Sequence, residues 1–236
     1  MISFDRLRDP ALLFALSCAL ALGWLLIALV PMESMDQVFA ESGPIEGASV
    51  RVLIVAVAAL GVDVVRRRAW GRWHLVALVA AAAFRELDWD KAFTDRGVLS
   101  LGLYSGNAPI IQKVGGAVVL VVLIWAGMRL LRRDLRPWLA GLRASSAWAW
   151  LMLTGLTLYG VAKTLDGLGR KLAPWGIEIS DWANRTAGRG EEAMELFAAI
   201  IILQVVWISV LALNPRAPAR AEKRAAPSRA TLSHQS

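Results

Sequence analysis

The sequence predicts an all-α integral membrane protein, a bundle of about six transmembrane helices with both termini in the cytoplasm. Three observations predict it. The 236 residues are 57% hydrophobic and 19% charged, with mean hydropathy +0.51, well to the apolar side of soluble domains. Six apolar runs approach the roughly 17–25 residues that cross a bilayer as a helix. Basic residues cluster in alternate connections between the runs, the pattern left by the positive-inside rule.

Residues 11–30 form the first span. The run carries no charge, is too long and uniform for a signal-peptide core, and lacks a small-x-small exit. Ala15-Leu16-Ser17-Cys18 has the outline of a lipoprotein cleavage box, but the apolar run continues through Val30, whereas a cleaved signal stops near its cysteine. Cys18 is the only cysteine in the chain, so it forms no internal disulfide and reads as a lipid-facing or packing residue. Residues 48–65 form the second span, flanked or entered by Arg51 and Asp63. Residues 73–93 form the third, which ends in a dense run of charge from Arg85 through Lys91. The remaining spans are 110–131, 146–165 and 192–213. All six belong to one transmembrane domain, residues 1–213. The tail, 214–236, is rich in Ala, Pro and Arg, has no apolar face to bury, and reads as a basic, disordered cytoplasmic segment.

Orientation follows from the arginines and lysines. Arg6 and Arg8 precede the first span. Arg66, Arg67, Arg68 and Arg72 follow the second, and Arg129, Arg132, Arg133, Arg136 and Arg143 follow the fourth. Arg216, Arg220, Lys223, Arg224 and Arg229 follow the sixth. These make 16, against none in the first connection, 31–49. The other connections do hold basic residues (Arg85, Lys91, Arg96 and Lys113; Lys163, Arg170, Lys171, Arg185 and Arg189), but interleaved with acids. The net charge of +7 is therefore a topology signal, and no nucleic-acid partner is implied. The preference for Arg and Ala points to a GC-rich bacterial genome, which makes the expected location the bacterial inner membrane. Trp70, Trp73, Trp138, Trp148 and Trp150 fall at inner boundaries and Trp89, Trp175 and Trp182 at outer ones, where amphipathic rings settle. Trp24, Trp125 and Trp207 fit less well. Leu172–Gly190 is expected to lie along the outer interface.

In this topology the charges at membrane depth gather at outer helix ends. Glu41 and Glu46 enter the second helix. Arg85, Glu86, Asp88, Asp90 and Lys91 close the third, Lys163, Asp166 and Arg170 close the fifth, and Glu191, Glu192 and Glu195 open the sixth. On one continuous helix Arg85, Asp88 and Lys91 share a face with alternating signs, as do Lys163, Asp166 and Arg170. Glu191, Glu192 and Glu195 stack three acids within about one turn, so their cations must come from other helices, with Lys163, Arg85 and Lys91 as the natural partners. A charged side chain in hydrocarbon costs on the order of 2.5–3.5 kcal/mol even on the mildest scale, so these groups are expected to face the bundle interior and pair.

Several chemistries compete for such a cluster. The plainest is a salt-bridge network that fastens the helices, filled by direct ion pairs. Crowded acids also invite a proton, a cation or a ligand amine. Asp and Glu from several helices suit a hard divalent cation, although the interleaved Arg and Lys compete for the same oxygens. A mixed-sign pocket fits a polar lipid head group, with Arg85, Lys91, Lys163 and Arg170 for phosphate and the glutamates for an amine or hydroxyls. A repeat-based transporter is disfavoured, because inverted halves would put the charges of the third and sixth helices on opposite sides. Histidine-dependent zinc chemistry fails on placement: His74 lies 12 residues from Glu86, roughly 18 Å along a helix, and His234 is in the tail. There is no G-x-S-x-G, and Ser100, Ser105 and Ser180 would need Lys163 as their base.

The ordered set E-x-G-P-x-E at Glu41–Glu46, R-E-x-D at Arg85–Asp88, K-x-x-D at Lys163–Asp166 and E-E-x-x-E at Glu191–Glu195 resembles a broad group of uncharacterised bacterial polytopic inner-membrane proteins, over about residues 10–213. The resemblance implies a multi-pass membrane protein and no particular activity. The expected function is binding of a polar lipid head group or a cation at the outer pocket. A carboxylate-based lipid-modifying enzyme and a purely structural network are the alternatives. Membrane lipid is the expected partner.

Overall fold

The computed structural model describes residues 10–32, 34–39, 43–94 and 97–212. The tail, 214–236, lies outside them, as do Glu41, Arg6 and Arg8. Among the described residues the regular structure is helical throughout. The helices are α1 (Pro10–Leu29), α2 (Met35–Val38), α3 (Pro44–Arg66), α4 (Trp73–Glu86), α5 (Trp89–Phe93), α6 (Leu101–Ser105), α7 (Ile110–Arg133), α8 (Leu135–Arg143), α9 (Ala147–Leu165), α10 (Leu168–Leu172) and α11 (Asp181–Ala212). Four of them, over Ala11–Leu29, Pro44–Arg66, Ile110–Arg133 and Asp181–Val210, are long and apolar enough to cross a membrane.

α11 is the centre of the bundle, packed chiefly on α9 and α3 and also on α1; α4 lies on α3, and α7 on α4. Apolar surface gains little by leaving lipid for protein, so close packing of small residues has to hold such helices together. The α9–α11 seam shows this. Ala198 is buried on it, its carbonyl oxygen 3.9 Å from where a Cβ on Gly155 would stand, and that Cβ would be 3.1 Å from Ile201 Cγ2. Hydroxyls inside the apolar helices bond their own backbone: Ser17 Oγ donates to the Leu13 carbonyl and Ser49 Oγ to Ile45, which removes the cost of a bare polar group. α7 is peripheral, with 11% of its apolar stretch buried against 44% for α3.

Two elements depart from their predicted bounds. The run 73–93 is not one helix: α4 stops at Glu86, and Asp88, at φ 49°, turns the chain before α5. Its 14 residues rise about 21 Å, short of the roughly 30 Å of hydrocarbon. The last helix begins at Asp181, eleven residues before the predicted 192, so Asp181–Gly190 is the first part of α11. Ser180 supplies the cap, its Oγ accepting the Ala183 N–H at 3.2 Å.

The charged residues sort to opposite ends. At one end Asp63 accepts from Arg67 and Arg72, and Arg67 Nη2 reaches the Val210 carbonyl at 2.8 Å, tying α3 to α11. At the same end His74 Nε2 meets Asp134 Oδ2 at 2.7 Å. Asp134 stands where α7 gives way to α8; Pro137 offers no N–H to the Arg133 carbonyl, which breaks the helix there. Trp125 finds its place here too, its ring 5.0 Å from that of Trp73. Glutamates and a lysine meet at the other end.

Candidate functional site

The mixed-charge end is built by three helices. α4 delivers Arg85 and Glu86 in its last turn, α9 delivers Tyr159 and Lys163 one turn apart on one face, and α11 delivers Glu191 and Glu195 one turn apart on the facing side. Lys163 Nζ lies 3.4 Å from Glu191 Oε1, contacts Glu195 Oε1, and sits 5.6 Å from the centroid of the Tyr159 ring. The Tyr159 hydroxyl donates to Glu86 Oε1 at 3.1 Å and accepts from Arg85 Nη1 at 3.2 Å. Glu86 and Glu195 are close enough for their carboxylates to repel each other. One chain of contacts therefore crosses α4, α9 and α11: Arg85 and Glu86 meet the Tyr159 hydroxyl, the Tyr159 ring meets Lys163, and Lys163 meets Glu191 and Glu195. Glu86 and Glu195 are buried, at 7% and 5% exposed.

Lys163 is the expected partner of Glu191 and Glu195, and it pairs with both directly. Tyr159 is a member that charge counting misses, because an uncharged phenol leaves no trace in it. Its signal is its spacing of four from Lys163. Lys171, counted among the basic residues of that connection but not assigned to the cluster, donates its ammonium to the Lys163 carbonyl at 2.6 Å and closes the end of α9.

The other predicted residues fall outside this chain of contacts. Asp166 and Arg170 form a long surface pair at 4.0 Å, because α9 ends at Leu165 and the left-handed Gly167 redirects the chain into α10. Asp88 is exposed at the left-handed turn after α4. That turn also ends the helical face on which Arg85, Asp88 and Lys91 were to line up. Lys91 and Asp90 belong to α5, but their side chains lie outside the described structure, as does Glu41.

Glu192 and Glu46 make a second, smaller group. Glu192 is half-buried on α11 and Glu46 half-buried in the first turn of α3. Glu46, Glu86, Glu191 and Glu195 are all close enough to repel the Glu192 carboxylate, and among the described residues no cation comes within ion-pair distance of it. An apolar groove of ≈ 270 Å³ lies between α1, α3 and α11, walled by Cys18, Leu22, Leu25, Ile45, Leu196 and Phe197. Ile45 and Ala193, both in its lining, are the sequence neighbours of Glu46 and Glu192. Among the described residues no three His, Cys, Asp or Glu side chains converge so as to hold a metal ion, the acids being strung along the network instead of gathered at one point.

No protein-family model matches the chain, and neither a curated protein nor a solved structure matches it.

Proposed function

We propose that this is a six-span bacterial inner-membrane protein, with both termini in the cytoplasm, that binds a polar lipid of the outer leaflet through the amine of its head group at Glu192. In this reading α9 crosses with the four longer helices, α4 crosses only together with the flanking residues 70–72 and 87–93, and the Lys163 network clamps α4, α9 and α11 beside the site. One observation carries the reading: Glu192 is half-buried, lies close enough to four other acids to be repelled by them, and has no cation paired to it among the described residues. An uncompensated carboxylate at membrane depth is costly, and a ligand ammonium relieves it. The groove lined by Ile45 and Ala193, the sequence neighbours of Glu46 and Glu192, favours a lipid over a free cation, since it offers an acyl chain an apolar place. The sites of Arg85 and Lys163 serve the fastener, so no catalytic step is assigned.

Reconstitution into vesicles of equal phosphatidylethanolamine and phosphatidylcholine, gentle re-extraction, and mass spectrometry of the retained lipid test this. The two lipids differ at the amine, where three methyl groups bar hydrogen bonding. Retention enriched about tenfold or more in phosphatidylethanolamine, the worth of one charge-assisted hydrogen bond, is expected. Equal retention would remove the amine from the reading.

A further inference from the structure

The basic end holds a second arrangement, independent of Glu192. The segments 63–72 and 129–143 together carry nine arginines and two acids, Asp63 and Asp134. Both acids are occupied: Asp63 takes Arg67 and Arg72, and Asp134 takes His74. Arg129 and Arg133, one turn apart on α7, converge on a single neutral acceptor. Arg129 Nε and Nη2 lie 3.2 and 3.0 Å from the Gly71 carbonyl oxygen, and Arg133 Nη1 lies 3.2 Å from it. Gly71 permits the approach, because a Cβ there would stand 2.8 Å from Arg133 Nη1. Among the described residues neither guanidinium has a carboxylate within ion-pair distance.

Two like charges held on one carbonyl repel each other, and each guanidinium has about five N–H donors, more than one oxygen can take up. An anion with several oxygens satisfies both needs, and the planar fork of a guanidinium matches phosphate geometry. The surroundings place the pair where apolar surface gives way to head groups: Arg133 is exposed, and Trp70 and Trp125 are 62% and 60% exposed nearby. We propose that Arg129 and Arg133, gathered on the Gly71 carbonyl, form a phosphate-oxyanion site, filled by the head group of an anionic phospholipid or by free phosphate.

Two arms separate the sources. Wild type, Arg133→Gln and Arg129→Gln/Arg133→Gln are extracted from vesicles of equal phosphatidylglycerol and phosphatidylcholine, and retained lipid is weighed by mass spectrometry. The same proteins, stripped of lipid in detergent, are titrated with inorganic phosphate at constant ionic strength while Tm is followed. A lipid site gives about tenfold enrichment of phosphatidylglycerol in wild type, reduced in Arg133→Gln and abolished in the double variant, with no saturable response to phosphate. A free-phosphate site gives equal lipid retention and a saturable rise in Tm that the variants lack. Arg133→Gln removes one exposed group and a single bond to the loop, so it reports on the site even if the double variant does not fold. No phosphatidylglycerol preference and no phosphate response, or either one undiminished in Arg133→Gln, overturns the proposal.

Discussion

Lys163 meets two glutamates and the face of Tyr159, so removing its charge leaves Glu191 and the buried Glu195 without their cation. Lys163→Met is expected to cost about 3 kcal/mol, the lower end for a broken buried pair because the lysine is a quarter exposed. Adding Glu195→Gln to it should recover much of that loss, a coupling that denaturant unfolding of the four proteins in detergent measures directly. If the two losses simply add, Lys163 and Glu195 are not a fastener. Tyr159→Phe leaves the buried Glu86 without its hydroxyl donor, with an expected cost of about 1–3 kcal/mol in the same assay. The acids and the lysine of this network were legible in the sequence because charge inside an apolar run has to be explained. Tyr159 was not, since a phenol is at home in a membrane helix with or without a partner.

Among the elements, apolar length found the helices and local chemistry decided where they end. The runs 11–30, 110–131 and 146–165 match α1, α7 and α9 closely, each having little inside it to stop a helix. The run 73–93 does not, because hydropathy cannot see that Asp88 takes a left-handed conformation, and the shared face of Arg85, Asp88 and Lys91 fails with it. The start of α11 was written in Ser180 and Asp181, a cap and a first-turn acid, but the polar stretch that follows has no apolar periodicity to announce a helix. Seams between helices are set by size. Gly155→Val would push its side chain into Ile201, and overpacking of this kind is expected to cost about 1–3 kcal/mol. Thermal unfolding in detergent would register it as a lowered Tm, and an unchanged Tm would mean that the α9–α11 contact is loose.

For the whole molecule, the two ends differ in charge, mixed at one and strongly basic at the other, and the proposed topology turns that difference into an orientation. Alkaline phosphatase fused after Glu41 should be active and fused after Arg136 inactive; the reverse would move the glutamates to the cytoplasm. The central claim, that Glu192 receives a head-group amine while the Lys163 network only fastens, turns on a single substitution. Glu192→Gln keeps the shape and hydrogen bonding of the side chain but deletes its charge, and no cation among the described residues is stranded by the change. Retained lipid and Tm should be measured together for wild type and Glu192→Gln from vesicles of equal phosphatidylethanolamine and phosphatidylcholine. The phosphatidylethanolamine preference should disappear while Tm in lipid-free detergent is unchanged or raised, the repulsion from four acids having been relieved. A preference that survives the substitution, or a Tm that falls as far as in Lys163→Met, would contradict the claim.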